Sequence, residues 1–176
     1  MNLAVAPKPT ISFTPREISD WRGTPSLAIA RSLQLSGPTA TIAVPAIKRS
    51  VPVVRHLARL WLDSQGISDD GARFAVQLAV SELVTNAVEH TSSMVITSRL
   101  HKDRTNVWVE VQDQGGTPSV PRLKPPDTAL DNGRGLALVA EVVCGWGFSL
   151  APADNNCTVW AAIPYSDNQE EETPAA

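Results

Sequence analysis

The chain has 176 residues, 43% of them hydrophobic, with 18 acidic against 15 basic residues and a formal net charge of −3. That length suits one domain with tails, and the acidic balance argues against a nucleic-acid binder, whose footprint is a basic stripe. No run of about 18 apolar residues exists to span a membrane, and the opening MNLAVAPKPT lacks the apolar segment of a secretory signal.

Residues 1–38 are rich in Pro, Ser and Thr without sustained periodicity, which predicts a flexible N-terminal arm with at most one short helix at SLAIARSLQL. The domain is expected over 39–164. ATIAV (40–44) alternates weakly and reads as a strand. In 46–66 the apolar residues Val53, Val54, Leu57, Leu60 and Trp61 fall at helical spacing, with Pro52 in the first turn and Gly66 as the stop. A second amphipathic helix runs from about 69 to 90, opened by an Asp cap. MVITSRL (94–100) and NVWVEVQD (106–113) follow as two strands joined by a polar turn. The loop 114–132 holds four prolines, and GRGLALVAEVV (133–143) reads as a third helix. WGFSLA (146–151) and CTVWAAI (157–163) close the domain as an antiparallel pair across PADNN. Residues 165–176 form an acidic tail expected to be disordered. Helices followed by strand pairs with one interposed helix predict an α+β sandwich, not a doubly wound parallel sheet.

Cys144 and Cys157 are far apart and lack metal spacing. They are expected as reduced thiols of a cytoplasmic protein. Trp supplies 5 aromatic residues beside 3 Phe and 1 Tyr, and most of these Trp are expected in the core.

Three features carry chemistry. In SELVTNAVEHT, residues Glu82, Asn86 and His90 recur every fourth position. Such positions drift only about 40° around a helix, so they form one polar line. Spacing alone also fits a solvated face. Asn, however, is a weak helix former and a suitable oxygen ligand for Mg²⁺, which takes one or two protein ligands plus phosphates and waters. Glu82, one turn earlier, is placed to act as a general base. The second feature is Asp113, which shares the parity of Val107, Val109 and Val111 and so ends the strand on its apolar side. It either opens the Asp-Gln-Gly-Gly turn or accepts a hydrogen bond at the floor of a pocket, with Gly115 and Gly116 leaving room for a flat ring. The third is Gly133 and Gly135, just before a helix whose N-terminus can hold phosphate oxygens. A plain loop-to-helix joint fits as well. Neither the dinucleotide pattern nor a P-loop is present.

In their order these motifs resemble the GHKL ATPase superfamily of gyrase, chaperone, histidine-kinase and mismatch-repair ATPases. They are most similar to its bacterial anti-sigma-factor serine-kinase branch. ELVTNAVEH resembles the Asn box, DQGG and GRGLALV the two glycine boxes, and CTVWAAI the last strand. The resemblance covers about residues 40–163. It implies a Bergerat-type two-layer sandwich, a mixed and mostly antiparallel sheet backed by helices, with ATP between a helix and a lid loop. By the same resemblance Asn86 holds Mg²⁺ and Glu82 is the catalytic base. Asp113 reads the adenine amino group with support from Thr158, Gly115 gives the base room, and Gly133, Arg134 and Gly135 bind phosphates. Loop 114–132 is the ATP lid, and Arg122 and Lys124 are further cationic candidates. The family usually has Gly just before that Thr or one residue earlier, whereas this chain has Asn155-Asn156-Cys157-Thr158.

The implied function is transcription regulation: an ATP-binding anti-sigma factor that binds a sigma factor and phosphorylates Ser or Thr of an antagonist protein. No direct nucleic-acid or membrane partner is implied, and a homodimer is compatible with it. A non-catalytic ATP-binding interaction module is the alternative. A histidine-kinase fragment would need a phosphoacceptor His, and the candidate, His56, is followed by Leu57 on a helix of the domain itself.

Overall fold

The computed structural model describes residues 10–22, 35, 37–114, 135–151 and 156–166. Six strands form one mixed sheet: β1 (Thr10–Ser12), β2 (Thr39–Pro45), β3 (Val95–Lys102), β4 (Asn106–Asp113), β5 (Gly145–Ala151) and β6 (Asn156–Pro164), in the order β1-β2-β3-β4-β6-β5. β1 lies parallel to β2 and every other pairing is antiparallel. The helices are α1 (Pro15–Asp20), α2 (Ser50–Ser64), α3 (Asp70–His90) and α4 (Gly135–Val142). This is the expected α+β sandwich of the Bergerat type.

The alternation seen in the sequence sorts the sheet into two faces. Ile42, Val44, Ile96, Leu100, Val107, Val109, Val111, Ala161 and Ile163 are buried toward the helices. Four alanines of α3 — Ala72, Ala75, Ala79 and Ala87 — are buried with Val76, Val80, Leu83 and Val84. Small side chains at one-turn intervals let that helix lie close to the sheet and to α2. From α2 come Val53, Val54, Leu57, Trp61 and Leu62.

The ends of these helices follow local chemistry. Asp69 caps α3 by accepting from Ala72 N at 3.0 Å. At the other end Thr91 Oγ1 donates back to the Ala87 carbonyl at 2.7 Å, satisfying one of the helix's orphan acceptors. Gly66, with φ of 69°, takes the left-handed conformation that stops the chain after α2.

The N-terminal stretch differs from the flexible arm expected over 1–38. Thr10–Ser12 joins the sheet as β1, and α1 follows with a capping box between Thr14 and Glu17. Ile18 is 1% exposed, and Leu35 is buried as well. The periodicity of three strand residues and a six-residue helix is too short to register in a Pro-rich context. The short helix expected at SLAIARSLQL falls outside the described residues except for Leu35. So does the acidic tail, apart from Tyr165 and Ser166.

The tryptophans divide between the faces. Trp61 is fully buried, and Trp21 and Trp146 pack against the core. Trp108 and Trp160 stand on the opposite face, ring centroids 5.6 Å apart, with His101 stacked on Trp108 at 5.9 Å.

Candidate functional site

Helix α3 carries the polar line along the flank of its buried stripe. Glu82 and Asn86 are half-buried, and His90 is exposed at the helix end. Burial pushes the Glu82 carboxyl above the usual carboxylate range, because the charged form loses water that nothing equally polar replaces. Glu89, on the same helix, reaches Lys48 at 3.1 Å on the surface, which accounts for it without a role in the site.

The start of α4 meets Glu82. A side chain on Gly135 would collide with that carboxylate. Val139, buried, and Leu136, half-buried, fix α4 on the core.

Asp113 ends β4 on the helix-facing side and is 6% exposed, as its parity with Val107, Val109 and Val111 predicts. A chain of hydrogen bonds ties this strand end to the end of α3. Thr91 Oγ1, bonded to the Ala87 carbonyl, lies 2.8 Å from Ser93 Oγ, and Gln114 N donates to the same Ser93 Oγ at 2.8 Å. The Gln114 side-chain oxygen accepts from Met94 N at 3.0 Å and Val95 N at 3.3 Å, at the start of β3. The backbone after Asp113 is thereby locked to the turn that follows Asn86. Thr91, Ser93 and Gln114 were not singled out in the sequence, because short polar residues at element ends look alike whether they cap, turn or bridge.

The register sets the face of one expected residue. Thr158 pairs with Gln112, on the face away from the helices, and Asp113 pairs with Cys157. Thr158 and Asp113 therefore stand on opposite faces of the sheet, since successive strand residues point to opposite faces. Burial, and then the negative charge of Asp113, push the Cys157 thiol above its ordinary value. The signal was available: Cys157 shares parity with Val159, Ala161 and Ile163. Gly115, Gly116, Gly133, Arg134, Arg122 and Lys124, with the loop expected as a lid beyond Gln114, lie outside the described residues.

Two kinds of chemistry lie on this side of the sheet. At the strand end, a buried carboxylate offers acceptor oxygens beside an apolar wall, where a neutral donor such as a base amino group is matched. On the helix, an amide and a carboxylate stand one turn apart. Among the described residues no group of three or more His, Cys, Asp and Glu is arranged around a common metal position. Asn86 carries an amide oxygen, a donor type that a hard cation accepts.

A mixed sheet backed by helices, with a buried acceptor at one strand end and an Asn–Glu pair on the adjoining helix, defines an ATP-binding sandwich domain. The sequence agrees: residues 44–150 match the histidine kinase-like ATPase domain, and the chain belongs to that family. ATP is accordingly its nucleotide. No curated protein matches the chain. No helix among the described residues is long and apolar enough to cross a membrane.

Proposed function

We propose that this protein is a cytoplasmic regulatory kinase of the anti-sigma type. It binds Mg-ATP, binds a sigma factor, and phosphorylates a Ser or Thr of an antagonist protein. The observation that carries the reading is the pairing of a half-buried Glu82, its proton affinity raised by burial, with Asn86 one turn further along α3. A base of raised pKa beside an oxygen ligand is what transfer of a phosphoryl group to a hydroxyl requires. The order of the motifs along the chain supports the anti-sigma branch.

Asp113 would accept a hydrogen bond from the adenine amino group, and Asn86 would hold Mg²⁺, which would supply positive charge to the phosphates. Glu82 accepts the proton of the incoming Ser or Thr hydroxyl as its oxygen bonds to the γ-phosphorus. The bond from that phosphorus to the bridging oxygen breaks, and ADP leaves.

The two helix residues differ in what their loss removes. Asn86→Ala lowers Mg-dependent ATP affinity together with activity. Glu82→Ala leaves ATP affinity in place while phosphoryl transfer falls by roughly 10²–10⁴-fold. The measurement is ³²P transfer from ATP to proteins co-purified with the chain, beside calorimetric ATP affinity for each variant. A wild-type protein that transfers no phosphate, while ATP still changes its affinity for a partner, refutes the kinase and leaves the interaction module.

A further inference from the structure

Gly135 is the first residue of α4 and abuts α3. A Cβ placed there would lie 2.5 Å from Glu82 Cδ and 3.0 Å from its Cγ, and would overlap Oε2. Carbon atoms in contact stand about 3.5–4.0 Å apart, so a methyl group and this carboxylate exclude one another. Backbone conformation does not demand glycine at this position, because Gly135 is helical, a conformation open to any residue. What gives way is the far end of a flexible side chain. Alanine is also the best helix former, and α4 stays anchored through Val139. The consequence of a methyl at 135 is therefore local: it moves the Glu82 carboxylate and leaves the fold.

We infer that Gly135 is a positioning residue for Glu82, its missing side chain letting the first turn of α4 close against the carboxylate and fix where it stands. The resemblance assigned Gly135 to phosphate binding; its contact in the structure is with Glu82. The closure takes water from one side of the carboxylate, in keeping with the burial that raises its pKa. The effect on phosphoryl transfer rests on the kinase reading, and the positioning does not.

The test is Gly135→Ala, read in three ways on the full chain. Carbon-13 NMR of labelled glutamate side chains follows the titration of Glu82. In the variant its midpoint moves toward the ordinary carboxylate value, because the displaced group regains water. Calorimetric ATP affinity stays close to wild type. Phosphate transfer falls on the order of 10–100-fold, the cost of a misplaced catalytic group, and the substitution adds nothing in a Glu82→Ala background. A midpoint unchanged in a folded Gly135→Ala protein overturns the inference. So does a loss of ATP affinity with the midpoint unchanged, which would return Gly135 to phosphate binding. A shifted midpoint in a protein whose wild type transfers no phosphate upholds the positioning and sinks the kinase. If Gly135→Ala fails to fold, adding Glu82→Ala removes the obstruction and restores folding; failure to restore it means the backbone itself rejects a side chain, and the inference falls.

Discussion

A carboxylate whose pKa rises on folding works against the stability of the fold that holds it. Glu82 binds its proton more tightly in the folded chain than in the unfolded one. Below the ordinary carboxylate range both states are protonated and folding carries no penalty. As pH rises through the raised folded pKa the penalty becomes complete. Glu82→Gln, which keeps shape and removes charge, is therefore expected to raise the thermal midpoint at neutral pH and to lose that gain in acid. Thermal unfolding of both proteins at the two pH values checks this, and a gain of equal size at both would contradict it. Such a cost is common where a group is kept for chemistry and not for folding. Asp113 was legible for a simple reason: three valines of the same parity announce its face. Gly135 was legible only as a glycine, since its neighbour Glu82 lies 53 positions away (135 − 82).

At the scale of elements, the outer face of the sheet shows how glycines can be demanded by a neighbour on the next strand. Gly147 pairs with Trp160, and the indole lies across it. A Cβ on Gly147 would stand 2.7 Å from Trp160 Cζ2 and 2.9 Å from Cε2, whereas one on Gly145 would stand 3.7 Å from Cζ3, an ordinary contact. The ring cannot move freely, because Trp108 packs against it. Gly147→Ala is expected to cost roughly 1–3 kcal/mol, the usual range for overpacking, and Gly145→Ala much less. Urea unfolding of the two variants decides it, and equal effects would show that strand propensity, not the indole, governs both. Strands β2 to β6 were readable to within about two residues, the ordinary uncertainty of element ends. WGFSLA gave no sign that its glycine serves a tryptophan on another strand.

For the whole molecule, the decisive departure is at the N-terminus. β1 adds to the sheet edge beside β2 with Ile11 opposite Ile42. α1 then folds back over α2: Trp21 meets His56 edge-on at 5.7 Å, and Arg49 donates to the Ser19 carbonyl at 3.3 Å. Ile18 is the buried residue of α1. Ile18→Ala is expected to lower global stability by about 2–5 kcal/mol, as for other buried large-to-small changes, with a single unfolding transition seen by both fluorescence and circular dichroism. A loss below about 0.5 kcal/mol, the range of surface changes, would mean that residues 10–22 come away before the body unfolds.

The sequence by itself determined the core elements, because hydrophobic periods of two and of 3.6 are local and survive without knowledge of partners. It determined that Glu82 and Asn86 share one helix line and that Asp113 faces inward, since both follow from spacing within a single element. The placing of β6 beside β4, and with it the pairing of Asp113 with Cys157, came only with the tertiary structure. Register depends on which strand lies alongside, and a slip of one residue turns every side chain to the other face. The docking of β1 and α1 was likewise decided in three dimensions: few residues carry it, and their burial exists only once the sheet and α2 are there to receive them. The same holds for Gly135, whose meaning is the carboxylate that the packing of α4 on α3 brings against it.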